Sequence, residues 1–200
     1  MFCYQCQETS RNEGCTIKGV CGKTADVANM QDLLLFLCKG ISHYTVRLRT
    51  LGIEIPQINR FITDSLFMTI TNANFDRNRF ITRILMAYEM RSAAKERLIS
   101  AGGSVEGITY EGAFWSGETE DEMNVKSLEV GVLASRDEDV RSLRELVTYG
   151  LKGMAAYAEH AYNLKYEQES IYAFMQQALV AVTNDTLSVD KLTALVLETC

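Results

Sequence analysis

MQDLLLFLCKGISHY (30–44) is the stretch on which the fold turns. Its apolar residues Met30, Leu33, Leu34, Leu37, Ile41 and Tyr44 recur at steps of three and four, the period of one buried helical face. The pattern predicts a helix from about residue 26, capped by Thr24 or Asp26, to Leu51, with Gly52 ending it. The same stretch returns 113 residues later as LRELVTYGLKGMAAY (143–157). Asp32 aligns with Glu145, Leu33 with Leu146, and Lys39, Gly40 and Tyr44 with Lys152, Gly153 and Tyr157. Further on, TNANFDRNRFITRIL (71–85) returns as TNDTLSVDKLTALVL (183–197) at an offset of 112, which puts the caps Asp76 and Ser188 in register. Amphipathic helices resemble one another on their faces, but identities shared at turns as well point to an internal duplication.

Between these landmarks the sequence continues to read as helix. Pro56 suits the first turn of a second helix carrying Ile58, Phe61, Ile62, Leu66 and Ile70. Asp76 caps a third, with Phe80, Ile81, Ile84, Leu85, Tyr88 and Leu98 inward. The glycine-rich stretch from Gly102 to Gly117 lacks periodicity and opens a linker, with Phe114 and Trp115 laid onto a domain surface. Asp137 or Asp139 starts a helix carrying Val140, Leu143, Leu146, Val147, Leu151, Met154 and Tyr157. Two more follow, one with Ile171, Phe174, Met175, Leu179 and Val182, the other from Ser188 with Val189, Leu192, Leu195 and Val196 on one face. The expected fold is all-α: a cysteine-rich segment (1–25), a first three-helix bundle (26–101), a linker (102–136) and a second three-helix bundle (137–200). Gly40 and Gly153 are expected where another helix crosses closely, since glycine inside a helix costs about 1 kcal/mol against alanine.

Composition narrows the function classes. The 200 residues are 47% hydrophobic and 23% charged, with one proline and no low-complexity tract, as a chain with a real core should be. A formal net charge of −6 argues against nucleic acid and anionic membrane surfaces as partners, because both select a basic face. No stretch approaches the roughly eighteen apolar residues of a membrane span. The polar, cysteine-rich start is unlike a secretory leader, so a cytoplasmic location is expected, where clustered thiols bind metal more often than they form disulfides.

Four of the six cysteines fall in MFCYQCQETSRNEGCTIKGVCGK (1–23), spaced C-x2-C-x8-C-x5-C. Cys3 and Cys6 are near enough to grip one metal or one corner pair of a cluster, and Gly14, Gly19 and Gly22 let the backbone wrap so that Cys15 and Cys21 close the set. Four thiolates suit zinc or an iron-sulfur cluster. Structural zinc usually takes two short knuckles and this segment has one, so the spacing favours iron-sulfur over zinc, with free thiols or disulfides least favoured.

The sequence around the cysteines closely resembles the start of the hybrid cluster proteins, also called prismane proteins or hydroxylamine reductases. The resemblance runs colinearly through NMQDLLLF, TITNANFD, the Phe114 to Gly117 region, DEDVRSLRELVTYGLKGMAAYAEHA and LSVDKLTALV. It implies a [4Fe-4S] cluster on Cys3, Cys6, Cys15 and Cys21, and two three-helix bundles after them. It also implies a hybrid iron-sulfur-oxygen cluster, where hydroxylamine is reduced to ammonia or nitric oxide is processed, in downstream α/β domains absent from this sequence. The chain stops at LTALVLETC inside an apolar pattern without a C-cap glycine, as if cut, so it is expected to be the N-terminal helical part of a longer oxidoreductase. The expected partners are an electron-donor redox protein and those downstream domains; the catalytic residues lie outside these 200. The reading from another class is a stand-alone helical binding or redox-sensing module clipped by zinc or a cluster. Among other candidates, Cys38 reads as a small core hydrophobe, His43 and His160 as packed or surface histidines, and Glu145 and Glu159 as members of a solvated face. Cys200, the last residue, has no assigned role.

Overall fold

The computed structural model describes residues 1–6 and 10–199. Within them all regular structure is helical: α1 (Ala25–Thr50), α2 (Pro56–Met68), α3 (Arg77–Ser100), α4 (Glu120–Ser127), α5 (Glu138–Asn163), α6 (Glu169–Ala181) and α7 (Val189–Thr199), with three short 3-10 turns. The duplication reappears as geometry. Helix α5 begins 113 residues after α1 and α6 113 after α2, each pair equal in length, and α7 begins 112 after α3.

Local chemistry sets the boundaries. Pro56 opens α2, where its missing N–H is not needed. Asp76 accepts from the amides of Asn78 and Arg79 at the start of α3, and Asp137 accepts from the amide of Val140 at 2.9 Å at the start of α5. Thr24 begins α1 through its backbone alone, without a side-chain cap. After α1 the chain turns at Gly52, whose φ of +70° is a left-handed conformation that glycine adopts freely.

The core forms around α1, which packs mainly against α3 and α6, while α5 packs against α2 and α7. Met30, Leu33, Leu34, Leu37, Ile41 and Tyr44 are all fully buried. A polar clasp joins the two repeats. Arg49 of α1 donates to Asn59 of α2 at 2.7 Å and to Gln176 of α6 at 3.2 Å, and pairs with Glu169. Gln176 in turn donates to Asn59 at 2.8 Å, so the buried amides are mutually satisfied. Arg60 of α2 pairs with Glu159 of α5, which therefore lies in an ion pair rather than on a purely solvated face.

Several expectations need correction. Inside the stretch read as linker, Thr119 and Glu122 form a reciprocal capping box and start α4. The segment before it is strapped down: Arg47 donates to the carbonyls of Ser104 and Glu106, both at 2.7 Å, and Arg91 to those of Gly112 and Trp115 at 2.9 and 2.5 Å. Trp115 is wedged edge-on between Phe36 and Tyr88, whereas Phe114 is half-exposed. Gly40 does sit at a close approach, but to the backbone of Gly112 and Ala113 rather than to a helix. Gly153 faces open space, and the glycine of α5 at a helix crossing is Gly150, against Thr199 of α7. Leu85, Leu146 and Tyr157 point out of the core, because no element covers them among the described residues.

Candidate metal centre

The segment holding Cys3, Cys6, Cys15 and Cys21 is folded back on itself and fastened to the helical body. The amide of Phe2 donates to the carbonyl of Cys15 at 3.0 Å, which lays the first and third cysteines' stretches side by side. The amide of Gly19 donates to the Lys23 carbonyl at 2.8 Å and that of Gly22 to the Gly19 carbonyl at 2.8 Å, closing a tight turn around Cys21. Gly14 and Gly22 take φ of +74° and +97°, conformations that a side chain would strain. Thr71 donates to the Gln5 carbonyl at 3.1 Å, tying the segment to the turn before α3.

Lys23 and Gln31 anchor it from below. The Lys23 ammonium, 2% exposed, donates to the Gln31 side chain at 2.8 Å and lies 3.9 Å from the Cys3 sulfur. Gln31 is itself buried and also accepts from Gln5 at 3.2 Å.

Donor type and backbone placement thus suit a thiolate-bound metal group: all four thiols are free and share one loop. Their side chains are not drawn together. Cys15 is buried, Cys3 half-buried, Cys6 and Cys21 exposed, and among the described residues no group of three or more His, Cys, Asp or Glu is placed to hold a metal ion. Cys38 is separate from them and fully buried in α1, where burial pushes its thiol up to about 12; it is the inert core residue its sequence context suggests. Cys200 lies outside the described residues.

Beside this loop is a cavity of about 330 Å³ whose lining includes Cys3, Gln5, Asp32, Glu145, Thr148 and Lys152. Burial pushes the Asp32 carboxyl up to about 7 against the pull of Lys152, and burial brings the Lys152 ammonium down to about 8 against the pull of Asp32 and Glu145. Glu145 is partly buried here, not on a solvated face. The sequence reading missed this group, although its signal was present: an acid and a lysine recur at equivalent positions of the two repeats within apolar stretches. His43 stacks on Tyr110 at 5.5 Å and shares a hydrogen bond of 2.9 Å with Thr183, and burial then Arg47 lower its pKa. His160 is exposed beside Phe67. Both are packing or surface residues. No helix among the described residues is long and apolar enough to cross a membrane.

Comparison with known proteins places the arrangement. The chain is 53% identical over 198 residues to a hydroxylamine reductase of Desulfitobacterium hafniense (strain Y51), covering 99% of this chain and 36% of that protein. It is 56% identical over 200 residues to one of Parabacteroides distasonis, covering 100% of this chain and 36% of that protein, and 54% identical over 198 residues to one of Clostridium novyi (strain NT), with 99% and 36% covered. The chain therefore spans about a third of the length of these curated relatives. Since the family model described as Prismane/CO dehydrogenase matches it from residue 1 to residue 200, the chain belongs to that family.

Proposed function

We propose that this chain is the N-terminal, [4Fe-4S]-binding part of a cytoplasmic hydroxylamine reductase. The observation that carries the reading is the colinear match to hydroxylamine reductases along the whole chain, cysteine segment included. Cys3, Cys6, Cys15 and Cys21 are the ligands in this reading. When bound, the cluster would supply single-electron storage and transfer between an external redox protein and the remaining two thirds of the enzyme, whose overall reaction would convert hydroxylamine, two electrons and two protons to ammonia and water. The residues of this chain hold and insulate. Lys23 and Gln31 fix the floor of the loop, with the Lys23 ammonium 3.9 Å from the Cys3 sulfur. Gly14 and Gly22 allow the turns that keep the four cysteines on one loop.

Anaerobic purification tests the reading directly. Brown protein with about four iron and four sulfide per chain is expected, lost in Cys15→Ser. Colourless protein holding one zinc and no sulfide would instead make the segment a structural clip of a binding or sensing module. In the full-length enzyme, Cys15→Ser should strongly slow donor-dependent turnover. Unchanged turnover with the cluster lost would refute the relay.

A further inference from the structure

Helix α5 carries an uncovered stripe. Leu146, Tyr149, Gly153, Tyr157 and His160 recur at steps of three and four and share one face, opposite the buried Val147, Leu151 and Ala155. The four side chains of the stripe are exposed, and a Cβ on Gly153 would meet nothing. An aromatic and apolar row on a water-facing helix marks a contact surface. The glycine in its middle weakens the helix relative to alanine, and that cost is recovered only where another backbone comes close.

The first repeat has the same stripe with its partner in place. The equivalent residues of α1 are Leu33, Phe36, Gly40, Tyr44 and Arg47, and the last four all act on one segment, the chain that follows α3. Phe36 packs on Tyr110 and Trp115 at ring-centroid distances of 5.3 and 6.4 Å. A Cβ on Gly40 would collide with the Gly112 carbonyl, so glycine admits that backbone. Tyr44 donates to the carbonyl of Ala113 at 2.9 Å, and Arg47 donates to those of Ser104 and Glu106. The second repeat keeps an aromatic ring at Tyr149, the glycine at Gly153, the hydroxyl at Tyr157 and a donor at His160. A face built to hold a strap is present twice, and among the described residues its strap is present once.

Chain order identifies the occupant. The strap on α1 directly follows α3, the third helix of the first repeat; α7 is the third helix of the second, and this chain covers 36% of the relatives compared above. We propose that the stretch beyond Cys200 in the longer protein folds back over α5 as the stretch after α3 folds back over α1, its backbone seated on Gly153 and its carbonyls held by Tyr157 and His160. The strap depends on the proposed function in one respect, that the chain is the N-terminal part of a longer protein. Leu146 and Tyr149 also line the cavity that Cys3 lines, and Tyr149 shares a hydrogen bond of 3.2 Å with Thr71, which holds the cysteine segment. The strap therefore closes the open side of that cavity and brings the rest of the polypeptide beside the cysteines.

The test uses the full-length protein with p-benzoylphenylalanine in place of Tyr157. Ultraviolet irradiation should give an intramolecular cross-link to the stretch after α7, at the distance along the chain that separates residues 104–113 from the end of α3. If that variant does not fold, the same replacement at Tyr149 gives the reading. Gly153→Ala should raise the melting temperature of the 200-residue chain by a few degrees and lower that of the full-length protein by a similar amount. A cross-link to a second copy, to a more distant stretch or to nothing, or a Gly153→Ala that stabilises both proteins, would overturn the strap. Iron and sulfide measured on the same protein separate it from the proposed cofactor: their absence with the cross-link present refutes the cluster and leaves the strap standing.

Discussion

Helices α1 and α5 share a length, a register and several identities, yet equivalent residues have opposite surroundings. Leu33 is fully buried and Leu146 is 56% exposed; Tyr44 is fully buried and Tyr157 is 81% exposed. Gly40 is pressed against the backbone of Gly112, and Gly153 meets nothing. The cause lies between the repeats. The stretch after α3 folds back over α1 through the turn at Glu111–Ala113 and through α4, whereas among the described residues no comparable cover lies on α5. Burial is thus a property of what covers a helix as much as of its own sequence.

Paired substitutions can break that comparison. The largest difference is expected at Leu33→Ala, which should cost about 2–5 kcal/mol in denaturant unfolding, while Leu146→Ala stays within about 0.5 kcal/mol. Equal effects would mean that α5 is covered in solution. Gly40→Ala should cost about 1–3 kcal/mol by overpacking against backbone. Gly153→Ala should stabilise by about 0.5–1 kcal/mol, because alanine is the better helix former and nothing is in its way. Tyr44 donates to the Ala113 carbonyl at 2.9 Å, so Tyr44→Phe should cost about 1–2 kcal/mol and Tyr157→Phe nothing measurable.

The smallest effect is a slope against pH. Asp32 binds its proton more tightly folded than unfolded, so its contribution is most favourable below the ordinary carboxylate range of about 4 and is lost as pH rises through 7. Lys152 acts in the opposite sense in a higher window: its ammonium is disfavoured on folding, so stability recovers as pH rises from about 8 towards the ordinary lysine value. Asp32→Asn should therefore flatten the loss of melting temperature between pH 5 and pH 7 seen by calorimetry. An unchanged slope would remove Asp32 as its source.

Much of the fold was legible because its signals are local. The period of 30–44, the caps Asp76 and Asp137, Pro56 and the repeated offset all act within a few residues, and all reappear in the structure. Leu146, Tyr157 and Gly153 were misread because their identities match those of buried partners while their cover depends on a distant stretch. The capping box that starts α4 was a local signal too, but it followed five glycines and was absorbed into the linker. At the candidate site the spacing identified donor types without fixing where each thiol points. Asp32 and Lys152 escaped notice because charges on helices ordinarily face water; only the meeting of two repeats buries Lys152 and half-buries Asp32.

Arg91 gives one further consequence. Its guanidinium, on α3, holds the Gly112 and Trp115 carbonyls and the Ser116 hydroxyl at once, and the amide of Gly117 donates to Tyr88 one turn earlier on the same helix. A glycine-rich stretch without regular structure is thereby made a fixed part of the fold. Its peptide bonds should resist limited proteolysis as well as those of a helix, and a single nick there would uncover the face of α1 on which the rest is built.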